Sequence, residues 1–224
     1  MDKAALTKRV VLIFIAALAV VGIMLFVPAG TLDYWQAWVY MAIVFVPASF
    51  VLAYFLKNDP KFLERRFKTR EKEVKQKTLI KIASVVFFIG FLIPGLDRRF
   101  GWSNVPFEFV VAADAIVVLG YALVCLVFRE NSYAGRTIRV EKGQKVISTG
   151  PYAFIRHPMY LGSLLIYIAT SIALGSYWAL PPFLLMIPVI IYRIFNEEDV
   201  LKRELKGYTA YCQKTRYRLL PFVW

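Results

Sequence analysis

Most of the residues in this chain that can do chemistry lie in two places. One is the run Gly-Pro-Tyr-Ala-Phe-Ile-Arg-His-Pro-Met-Tyr, Gly150 to Tyr160; the other is Arg193 with the pair Glu197-Glu198. His157 is the only histidine. Arg193 and Glu197 are four apart and share a helical face, whereas Glu198 points away by roughly 100°. That spacing reads in two ways. It is an ordinary i, i+4 ion pair where a helix leaves a membrane, or a charged site facing a ligand, because a carboxylate at a membrane boundary needs a partner and a cationic ligand or a sugar diol is one. His157 and Tyr160 share a face once a helical turn forms from Pro158, and the free N–H groups of such a turn favour an anion or a carboxylate. Arg-His-Pro-x-Tyr is also readable as an interfacial cap with a tyrosine anchor. Asp114 lies well inside an apolar segment and is either an intramembrane functional group or an acid paired to a neighbouring helix.

The elements that must position these groups are two short apolar segments, about 159 to 174 and 178 to 195. Each spans roughly 25 Å as helix, less than a ~30 Å hydrocarbon core. They predict a tight helical hairpin with Gly175-Ser176 at the turn, and Pro181, Pro182 and Pro188 limit regular helix in the return limb. Such a hairpin brings His157 and the Arg193 to Glu198 segment to one membrane face. Upstream, Arg136 to Val140 and Gln144 to Ser148 are β-prone and flank Glu141-Lys142-Gly143, which predicts a small strand hairpin. Gly150-Pro151 then turns the chain.

Apolar residues make up 59 % of the 224, above the roughly 45 to 50 % of soluble domains, and apolar segments fall at about 9 to 27, 35 to 56, 79 to 96 and 107 to 128 besides the two above. The expectation is an all-α integral membrane protein of about six spans, one membrane domain with cofactor-binding loops and tail on the cytoplasmic side. With both termini cytoplasmic, 26 of 28 Lys and Arg residues lie on that side, and only Arg98 and Arg99 lie opposite. The net charge of +13 then reflects topology and attraction to anionic lipids. The first apolar run is longer than a usual signal-peptide core and reads as a retained span. Between 57 and 78, Phe62, Leu63, Phe67 and Val74 with acid and base pairs at i, i+4 predict an interfacial helix, either a solvated connector or a substrate-recruiting element.

Several chemistries drop out. One histidine and no cysteine cluster exclude the usual zinc and bis-histidine haem sites, so no metal is expected. Cys125 and Cys212 form no C-x-x-C. Neither a G-x-G-x-x-G, a P-loop nor a G-x-S-x-G motif is present. Basic residues spread over four juxtamembrane segments with no recognition motif argue against nucleic acid.

Arg129-Glu130-Asn131-Ser132, Gly143 through Tyr152, and Arg156-His157-Pro158-Met159-Tyr160 recur in order with Arg193, Glu197-Glu198, Leu201, Gly207-Tyr208, Tyr211 and Arg216 to Pro221. In this the chain resembles the isoprenylcysteine carboxyl methyltransferase family and its phospholipid methyltransferase relatives. The resemblance covers 129 to 221; residues 1 to 128 share only the multispanning character. It implies S-adenosyl-L-methionine bound at the cytoplasmic face, with contacts from Gln144, Val146, Gly150, Tyr152, His157, Pro158, Tyr160, Glu197 and Glu198. It also implies catalytic roles for Arg193 and Glu197 and a lipophilic or prenylated acceptor arriving from the bilayer. A carboxylate acceptor needs no general base and suits Arg193; an amine, as in phospholipid N-methylation, must lose a proton, with Glu197, His157 or Tyr160 to assist. Membrane sterol reductases share the Gly-Tyr-x-x-Tyr and terminal Arg/Pro ending, which keeps an NADPH-dependent reductase as an alternative; a nonenzymatic scaffold or transporter is the other.

Overall fold

The computed structural model describes residues 3–67, 74–135, 138 and 140–224. Long, largely apolar runs become long helices because a chain in lipid must satisfy its backbone internally. These are α1 (Lys3–Ala29), α2 (Trp35–Asn58), α4 (Val74–Phe100) and α5 (Phe107–Glu130), with the short α3 (Pro60–Arg66) between α2 and α4. Then come a 3-10 turn (Gly150–Ala153), α6 (Pro158–Ala173), α7 (Leu180–Leu184), α8 (Met186–Glu204) and α9 (Tyr208–Lys214). Among the described residues, five stretches are long and apolar enough to cross a membrane: α1, α2, α4, α5 and the α7–α8 limb from Leu180 to Glu204. At 16 residues α6 is the short apolar helix the hairpin required. The protein is a multi-pass, all-helical membrane protein.

The hairpin forms as its sequence demands. Gly175 takes φ +72°, closed to most side chains, and buried Ser176 donates a hydrogen bond to the Asp97 carboxylate. The same carboxylate accepts from the Ser103 amide at 2.7 Å and the Ser103 hydroxyl at 2.6 Å, which locks the end of α4 to the hairpin turn. Pro181 and Pro182 sit in the first turn of α7, where they cost little. Pro188 has no N–H for the Leu184 carbonyl, and the limb breaks between α7 and α8 at Leu185.

The outgoing limb, α6, crosses α5 backbone to backbone. A Cβ at Gly120 would lie 2.8 Å from the Gly162 carbonyl oxygen, and one at Gly162 equally close to that of Gly120. In lipid, where apolar surface gains little from leaving the solvent, such small-residue crossings hold helices together by close packing. The start of α6 is thereby fixed against the end of α5.

Asp59 caps α3 by accepting from the Phe62 amide at 3.0 Å, with Pro60 at its first position. Phe62 and Leu63 are buried with Leu6, Val10, Phe55 and Val127, so this helix is packed onto the bundle rather than solvated. The i, i+4 charge pairs expected after it, from Lys68 onward, lie outside the described residues. Part of the expected strand hairpin does too, at Arg136, Thr137 and Arg139; among the described residues no strand forms. Its turn is present: the Gln144 amide donates to the Glu141 carbonyl at 3.0 Å, and the Gln144 side chain accepts from the Glu141 amide at 2.9 Å. A lone two-stranded hairpin is marginal, and here a side chain closes the loop instead of a ladder.

Candidate active site

A cavity lined by both polar and apolar side chains opens where α5 ends, α6 begins and α8 leaves the apolar layer. Its walls include Asn131, Gln144, Val146, Tyr152, Arg156, His157, Tyr160, Arg193, Glu197 and Tyr208. Tyr152 is braced at both ends, its hydroxyl accepting from Asn131 Nδ2 at 2.9 Å and its carbonyl from the Tyr211 hydroxyl at 2.8 Å. Burial pushes the Tyr152 phenol up to about 12, against the Asn131 hydrogen bond, which lowers it, so it is neutral at physiological pH. The C-terminal tail closes the cavity from behind: the Arg156 and His157 amides each donate at 2.9 Å, to the Tyr217 and Arg218 carbonyls.

Tyr160, projecting from the first turn of α6, joins the two groups on α8. Its hydroxyl donates to Glu197 Oε2 at 2.5 Å and accepts from Arg193 Nε at 2.9 Å. The shared face of Arg193 and Glu197 is thus bridged by a phenol from another helix, which orients both side chains. Tyr160 and Arg193 also line a second, mostly apolar chamber of about 470 Å³ between α4, α6 and α8, with Ile80, Phe87, Tyr167 and Ile190 among its walls. The two spaces meet at Gly135, Met159, Tyr160 and Arg193. A polar ligand on one side and an aliphatic chain on the other would face each other across Tyr160.

Glu198 points elsewhere. Only 1 % exposed, it is surrounded by Arg156 Nη1 at 3.0 Å, Arg218 Nε at 3.2 Å, His157 Nε2 at 3.3 Å and Lys202 Nζ at 3.4 Å. A buried carboxylate persists only with such compensation, and this one ties α6, α8 and the tail together. It is absent from the cavity wall, as are Pro158, which starts α6, and Gly150. With φ +56°, Gly150 lies against Glu130, where a Cβ would meet the acid's Cγ at 2.7 Å. The other predicted contacts, Gln144, Val146, Tyr152, His157, Tyr160 and Glu197, converge with Arg193 on the cavity.

Two groups that spacing did not single out complete the site. The Tyr208 hydroxyl and Arg156 Nε are buried without a hydrogen-bond partner among the described residues, and both residues line the cavity. Burial, reinforced by nearby Glu198, pushes the Tyr208 phenol well above its ordinary value and keeps it a donor. Buried polar atoms with no partner are costly, and a ligand supplying an acceptor to each relieves them. Both stand in quoted motifs, but which edge of each faces a ligand depends on the tail. Asp114 is buried in α5 with Oδ1 unpartnered and takes no part in either space.

Residues 109–206, from the start of α5 to just past α8, match the phospholipid methyltransferase family model. Protein-S-isoprenylcysteine O-methyltransferase B of Arabidopsis thaliana is 28% identical over 153 residues, 63% of this chain and 68% of that protein. The chain is thus similar to the isoprenylcysteine carboxyl methyltransferases and, over α5 to α8, to the phospholipid methyltransferases. The structure of a eukaryotic intramembrane Ras methyltransferase, isoprenylcysteine carboxyl methyltransferase, superposes with a TM-score of 0.52 at 19% identity, covering 94% of this chain and 76% of that one. A Delta(14)-sterol reductase of Mus musculus is 31% identical over 105 residues, 43% of this chain. This chain spans only 25% of that reductase's length. Every residue predicted to contact cofactor or acceptor falls inside the segment that the family model matches.

Proposed function

We propose that the protein is a methyltransferase that uses S-adenosyl-L-methionine to methylate the carboxylate of a lipophilic acceptor at the cytoplasmic face of the membrane. The observation that carries this reading is the junction at Tyr160 and Arg193, shared by the cavity that holds Glu197, Arg156 and Tyr208 and by the mostly apolar chamber between α4, α6 and α8. When bound, the cofactor would supply an electrophilic sulfonium methyl, whose in-line transfer to the acceptor carboxylate oxygen forms the O–CH3 bond of a methyl ester as the C–S bond breaks and the sulfur leaves as a neutral thioether. Glu197 would accept from the ribose hydroxyls or the amino group, while Arg156 Nε and the Tyr208 hydroxyl, both without a partner among the described residues, would donate to the carboxylate or the purine edge. This donor set fits the cofactor. Arg193, steadied by Tyr160, holds the acceptor carboxylate with a planar fork at the boundary of the two spaces. The protein's work is alignment and exclusion of water, since opposite charges that cancel in the transition state react faster when desolvated.

The experiment is chemical. Membranes containing the protein are incubated with methyl-labelled cofactor and a lipid extract, and the labelled product is treated with mild base. Volatile methanol is expected; base-stable label on an amine head would move the acceptor to the phospholipid type. The 31% identity to a sterol reductase over 105 residues supports a second reading, an NADPH-dependent reductase. The pure protein should be stabilised by S-adenosylhomocysteine and not by NADPH; the reverse pattern selects the reductase.

A further inference from the structure

After Arg218 the chain reads Leu-Leu-Pro-Phe-Val-Trp, residues 219–224, with no charged side chain. These residues close into a loop: the Trp224 carbonyl accepts from the Arg218 and Leu219 amides at 2.9 and 3.0 Å, and the Trp224 amide donates to the Leu220 carbonyl at 3.0 Å. Leu219 turns inward, onto Tyr160, Ile190 and Ile194. The tip turns outward. Phe222 is 89 % exposed and Val223 77 %, with exposed Leu220 beside them. Phe222 also takes φ +65°, and among the described residues no other non-glycine residue has positive φ. A bulky side chain is strained in that left-handed region, which Asn and Asp tolerate far better. In water this position would combine backbone strain with a bare aromatic ring, and an apolar surround removes the second cost.

The neighbouring residues show what that surround is. Pro221, at the base of the tip, shares a groove of about 490 Å³ with Leu123 and Leu126 of α5, Leu161 of α6 and Phe154. Leu126 and Phe154 are themselves exposed, and α5 is long and apolar enough to span, so its outward leucines face hydrocarbon. Arg129, in the last turn of α5, lines the same groove and marks the level of the headgroups. The tip, Phe154 and the lipid-facing side of α5 therefore form one continuous apolar surface. We propose that Leu220, Phe222 and Val223, with Phe154, insert into the leaflet on the side of the membrane that carries the cavity. Residues 219–224 then hook back into the bilayer instead of standing in water with the basic residues before them. Because the Tyr217 and Arg218 carbonyls hold the Arg156 and His157 amides, lipid around the tip steadies the rear wall of the cavity. This anchorage rests on the spanning fold alone and goes beyond the methyltransferase reading.

The test is fluorescence of single bimane labels on Val223→Cys and Phe154→Cys proteins, in a background without Cys125 and Cys212, reconstituted as single copies in lipid nanodiscs. Lys142→Cys, in the turn from Glu141 to Gln144, is the exposed aqueous reference. Labels at Val223 and Phe154 should be quenched several-fold more by phospholipids with spin-labelled acyl chains, and several-fold less by aqueous iodide, than the label at Lys142. Equal iodide quenching at all three positions, or shielding of Val223 that appears only when two copies share a disc, overturns the proposal. Phe222→Asp gives an independent sign. In water Asp relieves the positive-φ position and removes a bare ring, so a solvated tail would be undisturbed or steadier. In lipid the carboxylate is expelled, so hydrogen exchange at the Arg156 and His157 amides should rise about tenfold or more, while Phe222→Leu leaves it unchanged. Unchanged exchange in a folded Phe222→Asp protein also overturns the proposal.

Discussion

Arg156 Nη1 lies 3.0 Å from Glu198 Oε1, and both side chains are sealed from solvent. Glu197, its neighbour in sequence, faces the cavity. Two adjacent acids on one helix therefore have different duties. Breaking a buried pair leaves its partners as uncompensated charge, so Glu198→Ala should cost about 3 to 5 kcal/mol and show as lost insertion or a large fall in Tm. Glu197→Gln should leave Tm nearly unchanged and weaken S-adenosylhomocysteine binding by more than ~1 kcal/mol. Thermal denaturation and calorimetry on both variants distinguish the roles; equal losses of stability would refute the division.

Tyr208 offers a sharper case because its hydroxyl has no partner among the described residues. Removing an unsatisfied buried hydroxyl relieves the fold, so Tyr208→Phe should be as stable as the wild type or more so without ligand. It should lose about 1 kcal/mol of affinity for S-adenosylhomocysteine. Because burial keeps the phenol protonated, this loss should be the same at pH 6 and pH 9, as titration calorimetry at the two pH values would show.

The spans were legible in the sequence because lipid imposes a length and a composition: the apolar run expected at 107 to 128 is the helix Phe107–Glu130, and that at 159 to 174 is Pro158–Ala173. The convergence of His157 with Arg193 to Glu198 was legible for the same reason, since short limbs return to one face. Which acid would turn inward was not. Helical spacing separates Glu197 from Glu198 by angle, but only the tail, with Arg218 approaching from sixty residues beyond Pro158, decides which faces the core. Nor does i, i+4 spacing announce that a tyrosine from α6 stands between Arg193 and Glu197.

The charge count predicts the sidedness of the site, which labelling can test. Single-cysteine labelling in a background without Cys125 and Cys212 should place Lys61 and Lys214 on the cytoplasmic side and Asn104 opposite. Asn104 is the better probe of the far face because neighbouring Ser103 is engaged by Asp97. Labelling of Lys61 and Lys214 positions from opposite sides would redraw the hairpin.

The α5–α6 crossing makes a packing prediction. At Gly162 a Cβ would press on the Gly120 carbonyl and on Val124 Cγ2 at 2.9 Å, neither of which can yield without moving a helix. Gly162→Val should destabilise by at least the ~1 to 3 kcal/mol of an overpacked core and shift His157 and Tyr160 with α6. Loss of S-adenosylhomocysteine binding together with a lowered Tm is expected, although Gly162 touches neither space.

Tyr160 is the residue on which the two halves of the site depend. Tyr160→Phe keeps the ring against His157, 5.7 Å between centroids, and removes only the hydroxyl that accepts from Arg193 and donates to Glu197. The fold should lose about 1 kcal/mol for the missing hydrogen bonds. Methyl transfer should fall much further, because a fork left to rotate no longer presents the acceptor in line. Arg193→Lys isolates the second half of the effect: it keeps the charge but replaces the planar fork by a single flexible donor. Both variants should depress kcat strongly while S-adenosylhomocysteine affinity stays within a few-fold of the wild type, the signature of an interaction made chiefly in the transition state. A variant that lost cofactor affinity in proportion to rate would place Arg193 among the cofactor's contacts and return the choice of acceptor to Glu197.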